Sequence, residues 1–153
     1  MAIEAPYSKY RKTNFKIAIV ILVIFAGWFF YDGYYNEDFI KKNTDADGNL
    51  NSTLVFNRQS PPWLILAAVA AGAYLFIISS RKIIAEENEL IISHKEKIPY
   101  DAIQKIDKTH FESKGFFIIT YNDKDGPEVR RRLSDRAYDN LSAVLEHLVA
   151  KIS

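Results

Sequence analysis

Hydrophobic and polar positions follow three different rhythms along this chain. Residues 17–31 pass without a charge, and so do residues 59–80, blocks of 15 and 22 residues. The first block is apolar around the whole circumference of a helix, which demands an apolar solvent on every side. Lys16 can snorkel at its start, and the aromatic run from Trp28 to Tyr35 can anchor its end, so a span of about 15–35 reaches the ~20 residues a bilayer requires. A second span is predicted over about 61–80. Proline is tolerated in a helix's first turn, where its missing N–H has no partner anyway, so Pro61 and Pro62 suit a start there. Trp63 then marks the interface. After Ser80 the rhythm shortens to strand-like runs near 81–86, 90–93, 104–111, 116–121 and 128–133, separated by turn residues. The last segment turns helical: Ala137, Leu141, Val144, Leu145, Leu148 and Ile152 recur every three or four positions. Ser134 is placed to cap that helix, with Asp135 at its positive end and Lys151 at its negative end.

The predicted organisation is therefore an N-terminal tail and two-helix membrane hairpin over 1–80, with an exported loop at 36–60, and a small domain over 81–153. A cleavable signal peptide needs small residues at its cleavage site, whereas Trp28, Phe29, Phe30 and Tyr31 follow the first apolar run. Ala68 and Gly72 stand four apart in the second span, a spacing that lets helix backbones approach, and the expected partner surface on the first span includes Gly27.

Composition alone hides this division. The 153 residues are 48% hydrophobic, with 20 basic against 19 acidic residues and no cysteine, the profile of one small soluble domain. Resolved by segment, residues 1–16 carry four basic and one acidic residue, the loop 32–60 three basic and five acidic, and residues 81–153 thirteen of each. The positive-inside rule puts both termini in the cytoplasm and the loop in the periplasm or exterior. No net basic excess argues for nucleic acid. The uncharged blocks 17–31 and 59–80 carry no ionisable residue other than tyrosine, which speaks against a proton or ion pathway through them.

Candidate chemistry is sparse. The segment 43–54 resembles an EF-hand calcium loop: with Gly48 at the sixth position, Asn43, Asp45, Asp47, Asn49 and Asn51 fall at positions one, three, five, seven and nine. Leu54 stands where the bidentate glutamate of that pattern belongs, so a calcium site here would be weak. A polar turn rich in Asn, Asp and Gly is the other reading of the same residues. Arg130, Arg131 and Arg132 form the basic run of the domain; alternation sends Arg130 and Arg132 to one strand face and Arg131 to the other, with Val129 and Leu133. They are candidate contacts for an anionic partner or lipid headgroup, or charges that guard a strand edge. His94, His110 and His147 stand in no metal-binding spacing, though His94 with Glu96 and His110 with Glu112 can share a strand face. No phosphate loop, dinucleotide fingerprint or nucleophile elbow occurs, so no enzymatic activity and no cofactor apart from calcium is expected.

The order of a two-span hairpin, then Lys82-Ile83-Ile84-Ala85-Glu86-Glu87-Asn88-Glu89-Leu90, then Ile98-Pro99-Tyr100-Asp101-Ala102-Ile103-Gln104-Lys105-Ile106, resembles the bacterial membrane-anchored PH-like domain proteins. Five or six strands are legible where that fold has seven. The resemblance implies an α+β membrane protein of the bacterial inner membrane, in which antiparallel strands are closed by a C-terminal amphipathic helix. It also implies a binding module or scaffold. The expected function is an accessory or assembly subunit: its helices dock with other membrane subunits in the lipid bilayer while its domain binds a partner protein. A calcium-responsive sensor using the 43–54 loop and an anionic-lipid-binding scaffold are the alternatives.

Overall fold

The computed structural model describes residues 2–93, 96–122 and 126–152. In chain order it runs β1 (Ile3–Pro6), α1 (Lys9–Tyr34), α2 (Glu37–Lys42), α3 (Ser52–Ser79), β2 (Lys82–Ala85), β3 (Glu89–Ser93), β4 (Glu96–Pro99), a 3-10 turn (Tyr100–Ala102), β5 (Ile103–Asp107), α4 (Phe111–Lys114), β6 (Phe116–Asn122), β7 (Glu128–Ser134) and α5 (Leu141–Ile152). It forms two compact units: residues 1–12 with 77–153, and residues 13–76. The protein is thus mixed α and β, with two long apolar helices and two small antiparallel sheets.

The boundary differs from the expected division at residue 80, because the N-terminal tail belongs to the β unit. β1 pairs antiparallel with β2, Ile3 opposite Ala85 and Pro6 opposite Lys82. Ala5, fully buried, and Ile3 contribute to the core from this strand. Four residues without a hydrophobic run give little strand signal of their own; the open edge of β2 supplies it.

In this unit the strand orders are β1-β2-β3-β4 and β5-β6-β7. Period-two alternation points Ile83 and Ala85, Leu90 and Ile92, and Ile119 and Tyr121 into one core. Leu141, Val144, Leu145 and Leu148 lie along one stripe of α5 and are buried on it. That helix begins at Leu141, six residues later than Asp135 suggested. Residues 135–140 instead form turns, in which Ala137 O accepts from Ser8 N and Asp139 N donates to Pro6 O. Ser134 Oγ accepts from Arg136 N and does not cap the helix. Likewise the strand expected to reach residue 111 stops at Asp107, and His110 precedes the short helix α4 with its ring against Phe116.

The second unit is an antiparallel helix pair, with Phe15 against Tyr74 near one end and Phe29 against Phe56 near the other, both at 5.4 Å between ring centroids. α3 starts at Ser52, well before the expected Pro61, because Asn51 Oδ1 accepts from Leu54 N and caps it. Pro61 and Pro62 therefore lie inside the helix and leave the carbonyls of Asn57 and Arg58 without their usual donors. The hairpin supplies a substitute: Tyr34 Oη donates to Arg58 O at 3.4 Å, while Arg58 Nε donates to Gly33 O at 2.8 Å in the last turn of α1. One residue thereby links a proline-freed carbonyl to a helix-end carbonyl that has no partner in its own helix.

Candidate functional site

Two features stand out, one in each unit. In the helical unit, α1 and α3 have 26 and 28 residues, and only 6% and 11% of their apolar stretches are buried. A helix of that length rises about 40 Å at 1.5 Å per residue, more than a ~30 Å hydrocarbon core. Ile24, Trp28, Val69 and Phe76 are among many large apolar side chains left open. A core helix of a soluble protein would bury them; these two present apolar surface outward and are long and apolar enough to cross a membrane.

Their mutual packing uses small residues, at positions only partly foreseen. Ala68 is buried, as is Ala26. A side chain added at Gly27 or Gly72 would meet open space, whereas one at Gly33 would meet Asn57 O at 3.1 Å and Arg58 Cγ at 3.2 Å. Gly33 is thus the glycine that permits close approach, and in sequence it was masked by the polar and aromatic residues around it.

The loop between the helices is ordered by its own hydrogen bonds. Asp45 Oδ1 accepts from the backbone N–H groups of Asp47 and Asn49, at 3.0 and 2.7 Å, and Asp45 Oδ2 accepts from Asn49 Nδ2. The backbone N–H of Asn49, foremost, and its side-chain amide hold the Asp45 carboxyl below its ordinary value near 3.8. Asn51 Nδ2 donates to Asn43 Oδ1, and Gly48 takes a left-handed φ of 82° that closes the turn. Asn43, Asp45, Asn49 and Asn51 therefore serve as one another's partners. No group of three His, Cys, Asp or Glu side chains among the described residues is placed to hold a metal ion.

In the β unit a cavity of about 770 Å³ opens between β2, β3, β4 and β7. Ile84, Ile91, Ile92 and Leu133 line it together with Arg81, Lys82, Lys97, Arg131, Arg132 and Glu96. Glu96 ties the two sheets: Tyr121 Oη donates to its Oε1 at 3.0 Å and the Arg131 guanidinium pairs with its Oε2. Arg132 lies over the Phe116 ring at 3.7 Å. Lys82 pairs with Glu4, and Lys97 with Glu89. Among the described residues no carboxylate lies within 4 Å of the Arg81 guanidinium. Tyr138 also lines the cavity, and burial raises its phenol pKa against the opposing pull of Arg81 and Arg131.

Of the expected arginine run, then, Arg131 and Arg132 meet at this cavity and Arg130 does not line it. Sequence reasoning missed Arg81, Lys82 and Lys97, since the first two read only as the flank of a span. His147 lies on α5 with Nε2 3.1 Å from Glu86 O. The expected pairing of His94 with Glu96 falls outside the described residues, which omit His94. No protein-family model, curated protein or solved structure matches the chain.

Proposed function

We infer that this chain is a membrane-anchored, non-enzymatic accessory or assembly subunit. Its two apolar helices cross the bilayer of the bacterial inner membrane, in line with the resemblance in sequence, and its β unit is a cytoplasmic PH-like domain that binds a partner protein. The observation that carries this reading is topological: two almost wholly exposed apolar helices are inserted between β1 and β2, neighbouring strands of one small folded unit. Because Ile3–Pro6 pairs with Lys82–Ala85, both ends of the hairpin must return to the same side of a membrane, as two crossings require. The basic tail Lys9, Arg11 and Lys12, together with Arg81 and Lys82, favours the cytoplasm for that side. Among the described residues, seven strands in sheets of four and three with one C-terminal helix are in keeping with the PH-like plan, and β1 and β4 supply the strands not legible in the sequence.

The domain is read as acting by holding a partner. Its attachment to the hairpin at both ends, through β1 and through β2, suits assembly of neighbouring subunits. Native mass spectrometry after mild detergent extraction from the source membrane tests the reading. The expected result is co-release with at least one other membrane protein; a chain that always runs alone overturns the subunit assignment.

A further inference from the structure

We propose that the outer edge of β7 is a docking site for an extended, acidic segment of a partner protein, which adds to the β5-β6-β7 sheet as a fourth strand. This rests on the partner-binding reading above and deepens it by naming where the partner is held and what chemistry it carries. Among the described residues the two sheets have four edge strands, β1, β4, β5 and β7. The edge of β1 is covered: Glu4 O accepts from Asn140 Nδ2, Pro6 O accepts from Asp139 N, and Ser8 N donates to Ala137 O. β4 is four residues long and ends at Pro99, and the β5–β6 ladder shifts register between Ile103 and Lys105. β7 is long and regular by contrast, its seven residues paired with β6 without a bulge.

The register identifies the backbone groups that β7 leaves open. Asp135 N donates to Gly115 O at 2.9 Å, in step with the β6–β7 pairing. Antiparallel ladders bond at every second residue, so Val129, Arg131 and Leu133 exchange hydrogen bonds with β6, while Glu128, Arg130 and Arg132 turn their N–H and C=O groups away from it. No strand pairs with β7 on that side among the described residues. Such a row of open groups is the template on which an extended chain adds. Space adjoins it as well: Arg131, Arg132 and Leu133 all line the cavity of about 770 Å³. Consecutive side chains on a strand point to opposite faces, so a space bordered by all three reaches the edge of the strand.

Charge selects the occupant. Arg130 and Arg132 share one face of β7 with Glu128, and neither guanidinium pairs with a carboxylate among the described residues; Arg131, on the other face, is held by Glu96. A second copy of β7 lying antiparallel about Arg131 would set Arg130 opposite Arg132 twice, and like charges directly opposite are destabilising. A strand with a carboxylate at every second position instead brings them beside Arg130 and Arg132. Its alternate side chains then fall on the face of Val129 and Leu133, where apolar residues suit.

The test uses the full chain in detergent and two capped eight-residue peptides, one alternating glutamate with valine and the other alternating lysine with valine. The expected result is saturable binding of the glutamate peptide only, with amide hydrogen exchange slowed at Glu128, Arg130 and Arg132 and unchanged at Arg131. R130E/R132E is expected to weaken that peptide about tenfold or more and to favour the lysine peptide. Arg130→Pro removes an outward N–H and no bond to β6, a place where an edge strand tolerates proline, and is expected to weaken the glutamate peptide about as much. Unfolding curves matching the unaltered chain establish that both variants fold. Equal binding of the two peptides, or glutamate-peptide affinity unchanged in both variants, overturns the proposal. So does concentration-dependent protection of the same three amides in the chain alone, which would give the edge to a second copy. Native mass spectrometry from the source membrane separates this site from the reading beneath it: no peptide binding with a partner still co-released sinks the edge alone, whereas a chain that runs alone yet binds the glutamate peptide at β7 sinks the subunit reading and upholds the edge.

Discussion

The β unit and the helix pair spend nearly the same hydrophobic vocabulary in opposite ways. In the β unit, Leu148, Ile83 and Phe117 are closed off from solvent entirely, and the charged residues lie on the outward positions of the same strands. In the helix pair, Ile24 is 60% exposed and Phe76 83% exposed, with the small residues Ala26 and Ala68 among the few that are buried. In water such an arrangement would be inverted, since apolar burial is the dominant favourable contribution to folding. On the membrane placement proposed above, the contrast means that the two units are written for two solvents. One unit is held together by excluding water from large side chains, the other by close contact of small ones, because lipid offers large apolar side chains no reason to hide.

The widest separation between the units is expected from the same truncation made in each. Leu148→Ala removes a fully buried side chain beneath α5 and should destabilise the β unit by about 2–5 kcal/mol. Leu66→Ala, at a position 57% exposed on α3, should leave that unit's stability within about 0.5 kcal/mol of the original. Denaturant unfolding of the full chain in detergent measures both, followed through tertiary-structure signals of the β unit for the first and through Trp28 and Trp63 fluorescence for the second. Similar losses from the two substitutions would mean that the exposed helix face has an essential protein partner within the same molecule, and the two-solvent contrast would fail.

A second substitution attacks the point where the units share a chain. Ala5 is completely buried in β1, so Ala5→Asp places a carboxylate in the core and should cost the β unit about 3 kcal/mol. Hydrogen exchange should then accelerate in β2, which loses its partner across the sheet. Unchanged protection at Ile83 and Ala85 would show that the N-terminal strand is dispensable, and with it the argument that both ends of the hairpin are tied to one domain.

How far the sequence foretold this follows the same contrast. The apolar blocks announce themselves because no charge interrupts them, and α5 announces itself through its three-and-four spacing. β1 does not, since Ile3-Glu4-Ala5-Pro6 has only two apolar residues, and its pairing depends on a strand almost eighty positions away. The start of α3 was hidden by a sound local rule: Pro61 and Pro62 suggest a beginning, but Asn51 caps the helix earlier and Tyr34 satisfies one carbonyl that the prolines release. The cavity was equally hidden. Arg131 and Arg132 are visible as a run, whereas Arg81, Lys82 and Lys97 come beside them only when two sheets fold against each other.

Within the helix pair the packing argument can be sharpened at one atom. Gly33→Val would force a side chain against the Asn57 carbonyl, 3.1 Å from the added Cβ, and should weaken the hairpin by about 1–3 kcal/mol. Gly27→Ala and Gly72→Ala point into open space and should change it by less than about 0.5 kcal/mol. The chain has no cysteine, so a pair introduced at Phe29 and Phe56 reports cleanly on helix approach through its oxidation yield. A lower yield for Gly27→Ala than for Gly33→Val would move the close contact away from the polar end of the hairpin.

The smallest expected effect lies in the turn at 43–54, where neither the apolar nor the buried rule operates. Asp45 is fully exposed, yet the Asn49 backbone N–H and side-chain amide hold its carboxyl below 3.8 by donating to the ionised form. A carboxyl whose folded pKa is lowered contributes stability above the unfolded value, and that contribution disappears as the pH falls through the folded one. The Asn49 amide resonance should therefore stay fixed from neutral pH to about pH 4 and shift only below it. A midpoint at or above 3.8 would mean that the hydrogen bonds do not persist in solution. The same resonance decides the calcium reading. An ion at this turn must take oxygens from Asp45 and Asn43 that already accept from Asn49 and Asn51, and it lacks the glutamate that would compensate, because Leu54 at the twelfth position is buried in the first turn of α3. Millimolar calcium is thus expected to leave the Asn49 amide in place; a saturable shift would instead make this exposed turn a sensor.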